Sequence, residues 1–406
     1  MDKYNFKTKP YDHQLEALTE SCDRKQYALF MEMGCGKSKV IIDNFVHLYS
    51  QGKLNNILIV APKGVYSTWV NKELQTHIPD DIELDIVKWS SSHTKKLLKE
   101  LDSLFKYDNK LKILVMNIEA FSTKKGCQYA NKFIQANKTM FVIDESTTIK
   151  NPSAKRTINC VRLGKYAHYR RILTGSPITK SPLDLYSQCM FLDPGLLGFS
   201  SYYAFRARYA DMKEMTGQGR TFKFVTGYKN LDELNETLGK FSHRVLKKDC
   251  LDLPEKIYIR REIQMTPEQT KAYKELQNFA ATQLANNKLV TINHIMTQII
   301  RLHQISCGFI GTDDGSITEL TNNRVSELSS ILEETDGKVI IWANYRHDIK
   351  RIEKLLIDTY GEESVGTYYG DVKQERREFV INEFQNPSSP MRFFVGNTQT
   401  GGYGIT

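Results

Sequence analysis

Four short apolar runs constrain the fold of this chain more than any other feature: Asn56-Ile57-Leu58-Ile59-Val60-Ala61, Lys112-Ile113-Leu114-Val115-Met116, Thr139 to Ile143, and Arg171-Ile172-Leu173-Thr174. Each is apolar at successive rather than alternate positions and is bounded by polar or turn residues. That is the pattern of a strand buried on both faces. Helical stretches such as Lys37 to Tyr49 and Lys95 to Leu104 lie between the runs, and strands alternating with helices require a parallel sheet. A second alternating set starts at Lys338-Val339-Ile340-Ile341-Trp342 and continues through Arg392-Phe393-Phe394-Val395. The expected fold class is therefore α/β, with two parallel-sheet lobes. Between their core motifs the stretch from Phe199 to Val325 reads as a mainly helical insertion with aromatic and basic residues interleaved. Within it, Met265-Thr266-Pro267-Glu268 has the form of a capped helix start, and Leu251-Asp252-Leu253-Pro254 suits a stiff link between lobes. The expected boundaries are 1–198 for the first lobe, 199–252 for the insertion and 253–406 for the second lobe with a helical N-terminal part.

A chain of 406 residues accommodates two or three domains, at roughly 150 residues each. Its 40% hydrophobic and 25% charged content is that of a globular protein. The formal charge of +9, from 56 basic against 47 acidic residues, suggests a polyanionic partner. Seven cysteines (Cys22, Cys35, Cys127, Cys160, Cys189, Cys250 and Cys307) show no Cys-x-x-Cys pair or metal-ligand spacing, so reduced thiols in a cytoplasmic protein are expected. The N-terminus lacks an apolar signal core, and no apolar run approaches the ~18 residues that span a bilayer.

The chemistry lies in two separated motifs. Met33-Gly34-Cys35-Gly36-Lys37-Ser38 reads as a turn whose backbone N–H groups wrap phosphate oxygens, with Lys37 as a point charge and Ser38 as a hydroxyl for Mg²⁺. A strict phosphate-loop pattern wants glycine at position 31, where this chain has Met31. The Gly34-x-Gly36-Lys37-Ser38 core remains, followed by the helix start Lys39-Val40-Ile41-Ile42, whose dipole favours phosphate. Phe141-Val142-Ile143-Asp144-Glu145 is an apolar strand ending in two carboxylates. Asp144 suits magnesium, and Glu145 can orient or deprotonate a water. Together the motifs imply nucleoside triphosphate hydrolysis, with ATP and Mg²⁺ as cofactors. Lys37, Asp144 and Glu145 form the catalytic set, Ser38 and Asp144 the metal set, and Gly34, Cys35, Gly36, Lys37 and Ser38 the nucleotide set. Gln14, about twenty residues upstream, can both donate to and accept from one adenine edge and so select ATP. The Cys35 side chain is expected to have no chemical role, although it can make the activity oxidant-sensitive.

The ordered series resembles superfamily-two helicases, and specifically the Swi/Snf-type DNA-translocating ATPases. The matching pieces are Tyr11 to Gln14, Met33 to Ser38, Ile59-Val60-Ala61-Pro62-Lys63 with Trp69, Val142 to Asn151, and Leu173-Thr174-Gly175-Ser176-Pro177-Ile178. Further along are Tyr369-Gly370-Asp371, Arg376, Asn382-Glu383-Phe384 and Thr400-Gly401-Gly402-Tyr403-Gly404-Ile405. Ile149-Lys150-Asn151-Pro152 and Leu253-Pro254-Glu255-Lys256 are most characteristic of the Swi/Snf branch. The resemblance covers nearly the whole chain. It implies two RecA-like lobes closing on ATP, double-stranded DNA running across both, and a coupling role for Thr174, Gly175 and Ser176. Ser146-Thr147 stands where the family has Ala-His, which puts the strength of interlobe coupling in question. The family's last motif, a Gln-rich segment with two phosphate-reaching arginines, is expected after Ile405, whereas the sequence ends at Thr406. A chain truncated there is expected to bind ATP and hydrolyse it poorly.

Between Glu145 and Asp184 there is no acidic residue, while Lys150, Lys155, Arg156, Arg162, Lys165, Arg170, Arg171 and Lys180 all fall there. Such a run beside the coupling segment is expected to contact the phosphate backbone of duplex DNA without sequence preference. The candidate contacts are Lys63, Lys150, Lys155, Arg156, Thr400 and Gly401, with Trp69 either beside them or in the core; Gly402 and Gly404 would also let the second lobe's backbone approach closely. Tyr202-Tyr203-Ala204-Phe205-Arg206-Ala207-Arg208-Tyr209, with Arg220, Phe222, Lys223 and Phe224, suits helix packing with snorkelling arginines better than base stacking. The resulting expectation is an ATP-driven double-stranded DNA translocase of a bacterium or phage. A strand-separating DNA or RNA helicase and an ATP-switched nucleic-acid-binding module are the alternatives.

Overall fold

A computed structural model describes residues 5–106, 108–217, 220–286, 292–312 and 316–401. The chain divides into two compact units, the first running to Pro254 and the second starting at Glu255. The first unit is built on β1 (Gln26–Met31), β2 (Asn56–Ala61), β3 (Leu84–Lys88), β4 (Leu111–Asn117), β5 (Thr139–Asp144), β6 (Tyr169–Leu173) and β9 (Ser242–Val245). They form one sheet in the order β3-β4-β2-β5-β6-β1-β9, and every pairing is parallel. The continuous apolar runs have the expected cause. Leu58, Val60, Phe141 and Ile143 point into one core, while Ile57, Ile59, Met140 and Val142 point into a second core on the opposite face. A strand covered by helices on both sides needs an apolar residue at every position.

Parallel pairing brings all seven strand C-termini to one edge of the sheet. Because β6 lies between β1 and β5, the loop after β1, the acidic pair after β5 and the turn after β6 become neighbours. That edge is where an open α/β sheet presents its site. Two helices matter most there: α1 (Asp12–Ser21), and α2 (Lys37–Ser50), which directly follows the loop.

The stretch expected to be mainly helical also contains strands. Helices Tyr202–Tyr209 and Leu231–Gly239 flank an antiparallel hairpin of β7 (Ala210–Gly217) and β8 (Arg220–Tyr228). Ser242–Val245 then enters the first sheet as its edge. The alternation in Thr221-Phe222-Lys223-Phe224-Val225 has the two-residue period of a strand; the interleaved aromatics and cations obscured it. The Tyr202–Tyr209 helix buries Phe205 and Tyr209 and sets Arg206 over the Tyr203 ring at 5.1 Å. This is packing with snorkelling cations, as expected. The side chains of Arg220 and Phe222 lie outside the description.

In the second unit, β12 (Val339–Trp342), β14 (Phe393–Gly396) and β13 (Val365–Tyr368) form a parallel sheet in that order. A short hairpin pairs β10 (Phe309–Gly311) with β11 (Ile317–Glu319). The helix Pro267–Asn286 starts as expected: the Thr266 hydroxyl accepts from the Gln269 N–H at 3.2 Å, and the Gln269 side chain accepts from the Thr266 N–H at 3.1 Å. This reciprocal cap satisfies two otherwise orphaned donors. Among the described residues no helix is long and apolar enough to cross a membrane.

Candidate nucleotide site

The loop after β1 turns through two glycines in the left-handed region, Gly34 at φ +85° and Gly36 at φ +80°. The positive φ calls for glycine at position 36, and a Cβ there would also push aside the Gln14 amide, whose Nε2 lies 2.2 Å from that point. α2 begins at the next residue and aims its unpaired first-turn N–H groups at the loop, which makes a ready anion site. Lys37 Nζ donates to the carbonyls of Met31 at 3.0 Å and Glu32 at 3.5 Å. Its ammonium rests over the loop. Met31 is the buried last residue of β1, paired with Val245, so the missing glycine falls in the strand and leaves the turn intact.

Both sides of the loop are braced. Gln14 accepts from Tyr11 N–H at 3.1 Å and donates to the Cys35 carbonyl at 3.3 Å, while His13 Nε2 lies 3.0 Å from that same carbonyl. In this structure the Gln14 amide ties α1 to the loop. Just after β9, the Lys247 N–H donates to the Glu32 carboxylate at 2.6 Å. Cys35 is fully buried, its Sγ 3.8 Å from Cys250 Sγ. Burial and that neighbouring thiol push the Cys35 thiol up to about 11, so it fills the inside of the turn as a neutral group.

Opposite stand the carboxylates. Asp144 is buried; its Oδ2 accepts from Trp69 Nε1 at 2.9 Å and its Oδ1 from the Glu145 N–H at 3.0 Å. Glu145 sits at φ +48°, ψ +61°, a left-handed conformation that costs a non-glycine residue about 1–2 kcal/mol. Burial raises the Asp144 and Glu145 carboxyls above the usual range, Asp144's charge raises Glu145 further, and Lys37 pulls both down. Glu73, half-buried, is a third acid close to Asp144. Burial raises it, the neighbouring Ser38 hydroxyl and the Lys72 charge lower it, and the Asp144 charge raises it again. The Asp144 and Glu145 carboxyls sharing the charge of one ammonium, Lys37, favour the arrival of a further cation. The hard oxygen donors Ser38 and Asp144 fit Mg²⁺, which binds through one or two protein ligands plus phosphates and waters. No group of three or more His, Cys, Asp or Glu that could hold a metal ion occurs among the described residues.

The turn after β6 joins the two sides. Thr174 Oγ1 donates to Glu145 Oε2 at 3.2 Å. A Cβ on Gly175 would meet Glu32 Cα and Met33 N, each at 3.2 Å. Thr174 and Gly175 thus touch the acid and the loop respectively, whereas Ser176 is exposed. Ser146 is buried and donates to Gln188 at 2.6 Å, and Gln188 donates to the Pro177 carbonyl at 2.8 Å. A polar link therefore runs from the end of the acidic strand to the turn after β6 without an imidazole.

The nucleic-acid candidates are not gathered in this way. Lys63, Lys155, Arg162, Lys165 and Lys180 are exposed and Arg156 is half-buried. Lys150 is tied to Thr179 and lies 3.8 Å from Asp184. Two members of the basic run are not surface groups at all. Arg170 is buried and pairs with Asp193 at 3.2 Å. Arg171 is fully buried and donates to Asn44 Oδ1 and to the carbonyls of Ser21, Arg24, Lys25 and Arg170. Trp69 is likewise buried and aimed at Asp144, which removes it from the DNA candidates. In the second unit, Thr400 and Gly401 lie in the short helix Thr398–Gly401, with N–H groups donating to the Asn397 carbonyl. Gly402, Tyr403, Gly404 and Ile405 lie outside the described residues.

The families described as SNF2-related domain and Helicase conserved C-terminal domain match residues 13–308 and 323–406. The chain belongs to the SNF2-related family. The paired domains are those of an ATP-hydrolysing, helicase-type enzyme. Similar to this SNF2-family chain is protein p41 of Acyrthosiphon pisum secondary endosymbiont phage 1, 24% identical over 86% of this chain and 75% of its own length. The SWI/SNF-related matrix-associated actin-dependent regulator of chromatin subfamily A-like protein 1 homolog of Caenorhabditis elegans is 30% identical over 62% of this chain and 33% of its own. Seven curated relatives beyond the phage protein are spanned over only 24% to 40% of their length. Among solved structures, a Sulfolobus solfataricus SWI2/SNF2 ATPase core in complex with dsDNA is similar at TM-score 0.49 and 23% identity, covering 98% of this chain and 80% of that one.

Trp69, Glu73 and Gln188 had no role assigned at this site from the sequence. The Trp69 and Gln188 contacts span 75 and 42 positions, and no local pattern announces such pairs.

Proposed function

We propose that this chain hydrolyses ATP with Mg²⁺ and uses the cycle to move along double-stranded DNA, remodelling bound proteins or branched structures rather than separating strands. The observation that carries the reading is the meeting of three strand ends: phosphate loop, acidic pair and Thr174–Gly175 turn in mutual contact. The loop N–H groups and Lys37 hold the phosphates, and Gln14, whose amide is engaged at both ends by Tyr11 and Cys35, steadies the loop rather than reading the adenine edge. Ser38 and Asp144 hold magnesium, which supplies neutralising charge at the transferring phosphate. Glu145 orients the attacking water and takes its proton; burial raises its basicity toward that task. Thr174 on Glu145 and Gly175 on the loop give the coupling turn a physical stake in whether phosphate is present.

Family membership and the exposed Lys63, Lys155, Arg162, Lys165 and Lys180 support the DNA assignment. Contacts of that kind bind without sequence preference and weaken with salt as counterions are released. The test is ATP-dependent displacement of a third strand from a triplex, run beside unwinding of a forked duplex. Triplex displacement without unwinding is the expected result. Unwinding makes the chain a strand-separating helicase, and neither activity alongside ATP-switched DNA affinity makes it a binding module.

A further inference from the structure

We propose that Cys35 and Cys250 are an oxidation site, joined by a hydroperoxide into a reversible disulfide that draws the phosphate loop out of its binding geometry. The effect on nucleotide rests on the ATP reading above; formation of the bond does not.

Six of the seven cysteines are buried, and Cys250 alone is half-exposed. An oxidant arriving from solvent therefore meets that sulfur first. Cys250 Sγ stands 3.8 Å from Cys35 Sγ, across 215 positions of sequence. Cys35 is the fully buried residue between the two left-handed glycines of the loop. Cys250 ends the short helix Lys247–Cys250, and Leu251 to Pro254 after it belong to no helix or strand. Bonded sulfurs lie about 2 Å apart, so the 3.8 Å gap must close. Neither side is free to supply the whole movement. The Lys247 N–H is held by the Glu32 carboxylate at 2.6 Å, and the Leu251 N–H by the Lys247 carbonyl at 2.9 Å. The Cys35 carbonyl accepts from Gln14 at 3.3 Å, and the Cys35 N–H donates to the Glu32 carbonyl at 3.1 Å. The loop takes part of the shift, and the N–H groups adjoining Cys35 move with it.

Cys250 Sγ attacks one oxygen of hydrogen peroxide; an S–O bond forms, the O–O bond breaks, and the thiol proton leaves with the departing oxygen as water. Cys35 Sγ then attacks the Cys250 sulfur; an S–S bond forms, the S–O bond breaks, and the second thiol proton leaves with the hydroxyl as water. Two thiols lose two electrons, and one peroxide becomes two waters. Burial, with Cys250 beside it, holds the Cys35 thiol protonated, so it is not the first to react. A dithiol reverses the bond by exchange through a mixed disulfide.

The experiment treats the full chain with hydrogen peroxide and maps its peptides without reduction. Affinity for a fluorescent ATP analogue is measured before oxidation, after it, and after dithiothreitol. The expected map joins the Cys35 and Cys250 peptides. Affinity is expected to fall about 10–100-fold, the worth of one hydrogen bond to a charged group, and to return with the reductant. Cys250→Ser should bind the analogue as the reduced parent does and keep that affinity through oxidation. A map without the Cys35–Cys250 link overturns the proposal, as does a linked chain that binds as tightly as the reduced one. Loss of affinity in oxidised Cys250→Ser overturns it too, and assigns the sensitivity to another group such as the exposed Met33 thioether. A reduced parent that binds no analogue contradicts the ATP reading while the map still reports on the bond, which separates the two failures.

Discussion

Two sets of residues in the first unit are close in sequence and are treated in opposite ways by the fold. The nucleotide-side residues come from β1, β5, β6 and their loops, and each is fixed by at least one named contact: Lys37 to Met31, Asp144 to Trp69, Glu145 to Thr174. The basic residues that follow them are dispersed. Lys155, Arg162 and Lys165 sit exposed on or beside the helix Lys155–Gly164, while Arg170 and Arg171 vanish into the core. The difference teaches what each task demands. Phosphoryl transfer needs groups placed to fractions of an ångström, which converging strand ends supply. Tracking a phosphate backbone needs only charge near a surface, and long unfixed cations suffice for that.

The contrast is broken most severely at Glu145. Glu145→Gln is expected to lower DNA-stimulated ATP turnover about 10²–10⁴-fold with nucleotide affinity retained, as read by steady-state kinetics beside equilibrium binding. Comparable turnover in parent and variant would show that the acidic pair is not the reaction centre. Arg171→Ala tests the claim that this cation is structural. Removing it takes a donor from four backbone carbonyls and one side-chain acceptor, of which the Ser21 and Lys25 carbonyls keep a backbone N–H, so a loss of about 1–3 kcal/mol or more in denaturant unfolding is expected. A fully stable variant with weakened DNA binding would return Arg171 to the nucleic-acid set. Lys155→Ala and Lys165→Ala should each lower the slope of log affinity against log salt by about 0.9, with ATP binding unaffected. A slope unmoved by both places the DNA elsewhere.

The smallest effect concerns His77, whose ring nitrogen meets the Thr8 hydroxyl at 2.7 Å. Burial, with Lys39 and Lys7 adding to it, pushes this imidazole down to about 4, against about 6.5 when exposed. Between those values the unfolded chain binds a proton that the folded site refuses. Stability therefore falls as pH drops from about 6.5 toward about 4. His77→Gln should flatten that part of a thermal-melting profile, and an unchanged profile would show that His77 does not contribute to it.

Much of this was legible in the sequence because the cause was local. Continuous apolar runs announced β2, β4, β5 and β6, and paired glycines announced a turn that side chains could not follow. The edge strands were harder. Leu84-Asp85-Ile86-Val87-Lys88 is only half-buried, and Ser242-His243-Arg244-Val245 buries a single apolar residue. Neither carries the continuous signature. Charge misled most. Arg171 looks like its surface neighbours until each of its N–H groups is seen to find an acceptor. The Trp69–Asp144 bond was beyond reach because it depends on register between β5 and a wide turn after β2. What remained hidden, in each case, was a contact between distant segments.

The most direct test is a crystal structure of the chain with Mg²⁺ and a non-hydrolysable ATP analogue. The triphosphate is expected to lie along Gly34 to Ser38, with the metal between Ser38 and Asp144 and the γ-phosphate facing Glu145. A nucleotide bound elsewhere, with this edge of the sheet vacant, would contradict the account.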